Sequence, residues 1–283
     1  MKDENYIIRA MNRSEIDFAI ELAANEGWNP GLYDADCFYN TDPNGFFIGL
    51  LNDEPIGCIS AVSYQKQFGF LGFYIIKPEY RGKGYGLKLW NTAVDYLTNI
   101  PSSGLDGVVE QQSNYMKSGF KLAYRNIRFE GIGNNKKIKD GLVPIKEIPF
   151  DLINKYDNNF FPVDRNEFLK CWINQPESLC LAEYDEKNIN GYGVIRTCGK
   201  GFKIGPLFAE DEIIAEKIFN SLCSFAGENN HVYLDIPEVN PLAAKLVEKY
   251  KMNKVFETAR MYKGKKPELP LRKIFGVTTF ELG

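Results

Sequence analysis

The stretch from residue 71 to residue 97 most constrains what this chain can fold into. It begins with LGFYII, whose aromatic and β-branched residues favour a strand, and Pro78 ends that strand because proline has no amide hydrogen for the ladder. Glycines then alternate at positions 82, 84 and 86. After Gly86, apolar residues recur at three- and four-residue steps, which is the period of a helix with one buried face. The pattern predicts a strand, a glycine loop and a helix in direct succession.

The glycine loop has the properties of an anion site. Without side chains at Gly82, Gly84 and Gly86, successive amide hydrogens are exposed at the positive end of the helix dipole. Arg81 and Lys83 add charge-assisted donors, and a pyrophosphate has oxygens for several of these groups at once. The spacing R-x-x-G-x-G matches neither a Walker loop nor the dinucleotide-binding G-x-G-x-x-G.

Residues 71–97 resemble the coenzyme A signature of the GNAT superfamily of N-acetyltransferases. In that family the strand hydrogen-bonds the pantetheine arm, and the loop amides hold the pyrophosphate. The resemblance implies backbone contacts from Tyr74 and Ile76, and a bulge in the strand that turns an amide near Tyr74 or Ile75 toward the thioester carbonyl. The implied pyrophosphate cradle consists of Arg81, Gly82, Lys83, Gly84, Tyr85 and Gly86. The alternative for the motif alone is a glycine-rich turn required by packing.

The segment after this helix also resembles the family. A short strand at residues 107–109 precedes Ser113-Asn114-Tyr115-Met116 and a further strand from residue 121 to residue 129. A tyrosine at the position of Tyr115 often protonates the departing thiolate there, and a phenol with a pKa of about 10 carries its proton at neutral pH. The alternative is that Tyr115 anchors its helix on the sheet. Asn114 binds the pantetheine amides or caps the helix.

A repeat extends the prediction to the whole chain. Residues 46–62 and 179–196 each read as two strands around a polar turn, followed by another strand and a helix, then by a late strand, a helix and a closing strand. The fold class predicted is α/β, more exactly an α+β mixed sheet, with two GNAT-like units in tandem. We place them at residues 1–135 and 136–283, joined by a linker at 131–141.

The second unit lacks the glycine cradle. Its corresponding sequence is Ala209-Glu210-Asp211-Glu212, whose three carboxylates would repel a pyrophosphate. The sequence therefore predicts that coenzyme A binds only in the first unit, and that the second is degenerate.

The identity of the general base is open. Many GNAT proteins place a glutamate on the strand before the loop, whereas residues 72–76 contain no carboxylate. We therefore predict an acceptor site between the two units and an acid from elsewhere, with Glu110, Asp235 and Glu238 as candidates; solvated or capping roles are the alternative for each. Deleting residues 140–283 should then abolish transfer and leave a folded remainder that binds acetyl-CoA.

Three further residues have side chains suited to substrate or metal contacts: Trp28, Tyr33 and His231. In GNAT folds the loop after the first helix roofs the acceptor pocket, so Trp28 and Tyr33 are candidates for stacking on a substrate; holding the loop down is the alternative. His231 is the one histidine in the sequence and precedes a strand, which makes a serine triad or a zinc site improbable.

Composition indicates an ordinary globular protein. The 34 basic and 37 acidic residues give a net charge of −3 and a pI of about 5.5, so no nucleic-acid partner is expected. The six cysteines have no regular spacing and predict reduced thiols. The sequence shows neither a signal peptide nor a membrane span, which predicts a cytoplasmic location.

Together these features predict an acetyl-CoA-dependent N-acetyltransferase that uses no metal and acts on a small-molecule or peptide amine by direct attack. A non-catalytic coenzyme A sensor or scaffold is the alternative, because the strand glutamate is missing. Acceptor, acyl-chain length and oligomeric state are not determined by the sequence.

Overall fold

The computed structural model describes residues 5–136 and 141–283. The first half of the chain contains six strands and four α-helices within its described residues. In chain order these are β1 (Tyr6–Ala10), α1 (Ile16–Asn25), α2 (Asp34–Thr41), β2 (Phe46–Leu51), β3 (Glu54–Tyr64), β4 (Phe68–Ile76), α3 (Tyr85–Tyr96), β5 (Ser102–Val108), α4 (Gln112–Lys117) and β6 (Lys121–Ile132).

The second half repeats this order and adds one strand. Its elements are β7 (Leu142–Pro144), α5 (Phe150–Asp157), α6 (Asn166–Trp172), β8 (Ser178–Tyr184), β9 (Ile189–Thr197), β10 (Phe202–Ala209), α7 (Glu212–Ala226), β11 (His231–Pro237), α8 (Pro241–Lys249), β12 (Asn253–Gly264) and β13 (Ile274–Gly276). The predicted fold class and the predicted repeat are confirmed. Of the predicted linker, residues 137–140 lie outside the described residues, and residues 131 and 132 belong to β6.

The two halves share one continuous mixed sheet because they exchange their closing strands. The strand order is β1-β2-β3-β4-β5-β12-β6-β11-β10-β9-β8-β7, with β13 paired to β10. Strand β12 of the second half lies between β5 and β6, and β6 of the first half lies between β12 and β11. The proposed boundary between residues 135 and 136 therefore divides the sequence, while the central strands of the sheet alternate between the halves.

Two buried ion pairs at equivalent positions join each exchanged strand to a neighbouring strand of the other half. Arg260 on β12 faces Asp106 on β5, with nitrogen–oxygen distances of 2.8 and 2.5 Å. Arg128 on β6 faces Asp235 on β11, with distances of 2.6 and 2.7 Å. Because a charge buried without its partner is costly, these pairs favour the exchanged arrangement over any slipped register.

Apolar packing also joins the halves. A large core cluster contains side chains from α1, α2 and β4 of the first half and from α5, α6 and β9 of the second. Within it, the ring of Phe38 on α2 stacks on Trp172 of α6 at a centroid distance of 6.1 Å. Within the described residues, no helix combines the length and the apolar character needed to cross a membrane.

The prediction that all six cysteines are reduced is wrong for two of them. Cys37 on α2 and Cys171 on α6 form a disulfide, with Cα atoms 5.2 Å apart and a sequence separation of 134. The other four cysteines are buried free thiols. No spacing rule could indicate this pair, because the two cysteines meet only when the halves pack together.

Candidate active site

The main cleft opens where two parallel strands separate. Strands β4 and β5 pair from Phe68 to Leu71 and from Ser102 to Leu105, and beyond these residues their pairing stops. The cleft between the separated ends has a volume of about 380 Å³. It extends to the glycine loop at one end and to residues of the second half at the other. This volume lies within the range of small-molecule sites.

Strand β4 carries the bulge that the GNAT resemblance implies. Cys58 on β3 pairs with Ile75 and Ser60 pairs with Gly72, so that Phe73 and Tyr74 both oppose one residue of β3. Phe73 has φ of +48°, a conformation that side chains rarely adopt. A bulge changes the direction of the backbone and interrupts the ladder, and it lies here on the wall of the cleft. An amide of this segment is therefore well placed to serve an acyl oxygen.

Glycine is required at the three loop positions for two different structural reasons. Gly82 and Gly84 have φ of +75° and +87°, and an added Cβ would meet no atom within 4 Å at either position. Their backbone conformation, not lack of space, requires glycine. Gly84 is also the N-cap of α3. At Gly86, by contrast, an added Cβ would lie 2.8 Å from the Tyr74 hydroxyl, so this glycine lets α3 pack closely on β4.

The charged residues of the loop stand at the mouth of the cleft. Arg81 donates from Nε to the carbonyl of Ile76 at 2.7 Å, and its other end pairs with Glu26, which follows α1. Lys83 is exposed, with its ammonium 5.5 Å from the centre of the Tyr80 ring. Both cations remain accessible to an anion.

Tyr85 has a packing role in addition to its place in the loop. Its ring is buried 4.7 Å from the ring of Tyr6, and its carbonyl accepts a hydrogen bond from the Tyr6 hydroxyl. Because the ring is packed in this way, Tyr85 would contribute its backbone amide to an anion site, at the start of α3.

Tyr115 lies on the wall opposite the bulge. It is buried against Trp90, with ring centres 5.3 Å apart, and an added Cβ at Gly107 on β5 would lie 2.1 Å from its ring. Burial raises the pKa of Tyr115 well above its ordinary value, with smaller contributions from Tyr74 and Glu110. The hydroxyl therefore keeps its proton at neutral pH, as a general acid requires.

Two candidates near Tyr115 are not among the residues of the cleft wall. Asn114 is exposed, donates to Gln111 at 2.7 Å and accepts from Lys117 at 3.1 Å. Its predicted contact with pantetheine stays a prediction. Glu110 is exposed in the turn between β5 and α4, and the cleft wall includes its neighbour Gln111 instead.

The candidate acids of the second half are committed to other contacts. Both oxygens of Asp235 are bound by Arg128, and although burial opposes this, the guanidinium holds the pKa of Asp235 below its usual range. Glu238 accepts a hydrogen bond from the backbone amide of Arg125 at 2.8 Å. We do not propose either carboxylate as the base, since Asp235 has the structural role that Asp106 has in the first half.

The two predicted substrate contacts lie in different places. Trp28 lines the cleft, and its carbonyl accepts hydrogen bonds from Arg128 at 2.5 Å and from Lys203 at 3.4 Å. Tyr33 is the N-cap residue of α2 and is not among the residues of the cleft wall. Of the two candidates, Trp28 therefore lies at the cleft and Tyr33 does not, and the contact of Trp28 with an acceptor stays a prediction.

Four residues of the second half line the cleft, and the sequence did not suggest any of them. They are Phe256 and Thr258 on β12, and Phe280 and Glu281 in the segment of residues 277–283. Nothing in the local sequence marks them, because they reach the cleft only through strand exchange. Residues of both halves therefore line the cleft, and the acceptor site between the halves stays a prediction.

The corresponding strand pair of the second half is filled by the chain itself. Strands β10 and β11 are parallel and pair from Phe202 to Ile204 and from Val232 to Leu234. Beyond that point β13 pairs with Leu207 and Phe208 of β10, and the amide of Val277 donates to the carbonyl of Asp235 on β11. The helix after β10 is capped by the Asp211 carboxylate, at the position that Gly84 has before α3. In residues 5–136 and 141–283, no group of three or more histidine, cysteine, aspartate or glutamate side chains is arranged to hold a metal ion.

Comparison with known proteins assigns the family. Residues 11–111 match the model of the acetyltransferase (GNAT) family, and residues 153–276 match that of an acetyltransferase (GNAT) domain. A protein of Pseudoalteromonas sp. (strain SANK 73390) named holothin acyltransferase is 33% identical over 264 residues, which cover 93% of this chain and 90% of that protein. The chain belongs to the GNAT family. It consists of two GNAT domains in tandem, and acyl-CoA is the cosubstrate of such proteins.

Solved structures share this tandem GNAT fold. A structure from Pyrococcus horikoshii, provisionally named an acetyltransferase, superposes with a TM-score of 0.85 at 24% identity and covers 98% of this chain and 96% of its own. A tandem GNAT protein from the clavulanic acid biosynthesis pathway superposes with a TM-score of 0.62 at 9% identity, covering 93% of this chain and 100% of its own. At these identities the likeness establishes the tandem GNAT architecture alone.

Proposed function

We propose that this protein is an N-acetyltransferase that transfers the acetyl group of acetyl-CoA to the amine of a small molecule or peptide by direct attack. The observation that carries the proposal is the open cleft between β4 and β5, which ends at a glycine loop and at the start of α3. Its dimensions and its two positive-φ glycines fit a pantetheine arm and a pyrophosphate.

The roles of the residues follow from their positions. The backbone of Arg81, Gly82, Lys83, Gly84, Tyr85 and Gly86 would hold the pyrophosphate, with the two cations as additional donors. The backbone of Tyr74 and Ile76 would bind the pantetheine arm. An amide of the bulge in β4 would stabilise the negative charge that develops on the acyl oxygen. Tyr115 would donate its proton to the departing sulfur.

The wall of the cleft favours a compact, largely apolar acceptor. Trp28, Phe256 and Phe280 supply aromatic surface beside Thr258 and Glu281. A cavity of about 380 Å³ that also receives the end of a pantetheine arm leaves room for a small amine. The relative named holothin acyltransferase makes holothin the first acceptor to test.

The first test is calorimetric titration with acetyl-CoA, for which we expect one site per chain. Gly84→Asp should weaken binding at least ~100-fold, because the side chain is strained at positive φ and its charge repels the pyrophosphate. The matched control is Asp211→Asn at the N-cap of α7, which should leave binding unchanged. Undiminished affinity in Gly84→Asp would refute the cradle.

The second test is release of free coenzyme A thiol with a library of amines that includes holothin. Release that depends on one class of amine supports the enzyme. Tight binding with no release for any amine supports the alternative of a sensor or scaffold. Mass spectrometry of the acylated product, with acetyl-CoA and longer acyl-CoA in competition, then decides the acyl group.

A further inference from the structure

The carboxylates that line the cleft differ in how they are paired. Three such residues belong to its wall: Glu26, Asp106 and Glu281. Glu26 pairs with Arg81, and both oxygens of Asp106 are bound by Arg260. Within the described part of the chain, Glu281 has no cation at ion-pair distance, and its carboxylate accepts a hydrogen bond from the neighbouring Thr279 hydroxyl. Of these three acidic residues, Glu281 is therefore the one without an ion pair to a described cation.

The segment that carries Glu281 lies directly on the strand that lacks a carboxylate. An added Cβ at Gly72 on β4 would lie 2.1 Å from the carbonyl oxygen of Glu281. Gly72 is next to Phe73, whose positive φ marks the bulge. A side chain at position 72 is thus excluded by the segment of residues 277–283, and the same segment places Glu281, a residue of the cleft wall, beside this position of β4.

The segment is fixed on both sides of Glu281. Arg165 donates to the Thr278 hydroxyl at 3.1 Å and to the carbonyl of Gly283 at 3.3 Å. The Tyr64 hydroxyl donates to the carbonyl of Leu282 at 3.0 Å. Glu281 itself is only 4% exposed. A group held in this way keeps its position in the absence of substrate, which is what efficient proton transfer requires.

Within the described residues, two buried cations act electrostatically on Glu281, and neither forms an ion pair with it. Arg128 on β6 and Lys203 on β10 are the buried cations whose fields act on it, and Arg128 is already paired with Asp235 on β11. Lys203, 2% exposed, makes one long hydrogen bond to the Trp28 carbonyl. Lys203 therefore lies within electrostatic reach of Glu281 and also of Asp235, without an ion pair to Glu281.

We propose that Glu281 is the general base that accepts a proton from the acceptor amine. This inference rests on the proposed function. The Glu281 carboxylate takes one proton from the ammonium form of the acceptor, and the neutral amine attacks the thioester. As the nitrogen–carbon bond forms and the carbon–sulfur bond breaks, the Tyr115 hydroxyl gives its proton to the sulfur, and the second proton of the nitrogen returns to Tyr115. Glu281 then releases its proton to solvent. The second domain, which lacks a cofactor loop, thereby supplies a reacting group to the first.

The test is Glu281→Gln, which has the same shape and no basicity. For an alkylamine acceptor at pH 7, kcat/KM should fall about 10²- to 10⁴-fold. The loss should shrink at high pH, where an amine of pKa about 10 is already neutral. It should also be small for an acceptor whose amine is only weakly basic. Affinity for acetyl-CoA should stay within about twofold, since the change removes no contact of the loop.

Two comparison variants make the test specific. Glu268→Gln changes an exposed carboxylate of the same half and should leave the rate unchanged. Glu110→Gln tests the rival acid; if it reproduces the pH-dependent loss while Glu281→Gln does not, the assignment to Glu281 is overturned. A loss in Glu281→Gln that is equal at every pH and for every acceptor would also overturn it, because that pattern belongs to a structural role.

Glu281→Asp covers the case in which removal of this buried charge prevents folding. It keeps the charge and withdraws the carboxylate by one methylene, so kcat should fall at least about tenfold with a melting temperature close to that of the wild type. An unchanged kcat would overturn the proposal. If the wild type itself releases no thiol with any amine, both the proposed function and the assignment of Glu281 as general base fail. If the wild type is active and Glu281→Gln has the same rate, only the assignment of Glu281 is overturned.

Discussion

The strand pairs β4–β5 and β10–β11 occupy equivalent positions in the two halves but end differently. In both, the pairing stops after three or four residues and the first strand has a bulge or irregularity. Between β4 and β5 this leaves an open cleft. Between β10 and β11, β13 and Val277 fill the corresponding position with main-chain hydrogen bonds. The second half thus satisfies its own separated strands with a segment of the chain.

The filling segment connects the two places. An added Cβ at Gly205 on β10 would lie 2.4 Å from the carbonyl of Thr278, just as one at Gly72 on β4 would lie 2.1 Å from that of Glu281. Residues 277–283 therefore pack on the irregular strand of each half in turn. The same segment thus fills the separated strands of one half and carries Glu281 to the cleft wall of the other.

The largest expected effect comes from separating the halves. The sequence predicts that deletion of residues 140–283 leaves a folded, ligand-binding remainder, but the structure argues against this because β12 would be missing between β5 and β6. We expect the truncated chain to show no cooperative thermal unfolding by circular dichroism and no binding of acetyl-CoA. A compact truncated monomer that binds acetyl-CoA would show that the first half closes its sheet without β12.

Much of the fold could be predicted from local sequence. The strand before the glycine loop, the helix after it and the repeat of hairpins are encoded by periodicity within short windows, and each appears in the structure. The exchange of β6 and β12 could not be predicted, because a buried strand has the same apolar pattern whichever neighbour it pairs with. The same limit applies to Cys37 and Cys171.

For the site, the strand, the glycine loop and the helix beside the cleft could be predicted, and the cleft residues from the second half could not. Leu105-Asp106 and Leu234-Asp235 recur at equivalent places in the two halves, which is the signal that both aspartates have one structural role. That repetition would have argued against Asp235 as a base. Glu281 has no comparable signal, since its function depends on where the segment of residues 277–283 is packed.

Removal of the Tyr115 hydroxyl should be the next largest effect. Tyr115→Phe should lower kcat roughly 10²- to 10⁴-fold if the phenol protonates the thiolate, with little change in affinity for acetyl-CoA. Because burial raises the pKa of Tyr115 above its ordinary value of about 10, the wild-type rate should not decline through loss of this proton between pH 7 and pH 10.

A tyrosine of the second half provides the control for Tyr115. Tyr250 follows α8, the counterpart of α4, and donates to Glu216 at 2.7 Å. Tyr250→Phe should keep the wild-type kcat, measured by thiol release under saturating substrates. Equal rates for Tyr115→Phe and the wild type would assign Tyr115 to packing.

Substitution of the two paired aspartates tests whether the two ion pairs stabilise the exchanged strands by the same free energy. Asp106→Asn and Asp235→Asn each leave a buried arginine without its counter-charge, so the free energy of unfolding should fall by about 3–5 kcal/mol in each. The ion pair of Lys254 and Glu257, which is largely exposed, is the control. Glu257→Gln should change the free energy of unfolding by less than about 0.5 kcal/mol. Chemical denaturation measures all three.

The pH dependence of stability adds a second readout for Asp235. Its folded-state pKa lies below the unfolded value of about 3.9, so its contribution is present above that pH and is lost as the pH falls through the folded pKa. Asp235→Asn should lack this loss below about pH 4. An acid-unfolding profile that the substitution leaves unchanged would contradict the assignment of Asp235 to the ion pair.

The smallest predicted effect concerns the covalent link between the halves. Reduction of the bond between Cys37 and Cys171 should lower the free energy of unfolding by about 2–4 kcal/mol, because it releases a long loop in the unfolded chain. Neither cysteine lines the cleft, so the affinity for acetyl-CoA should persist. Alkylation of the denatured, unreduced protein should label four thiols by mass spectrometry; six labelled thiols would mean that strand exchange and apolar packing hold the halves together without a disulfide.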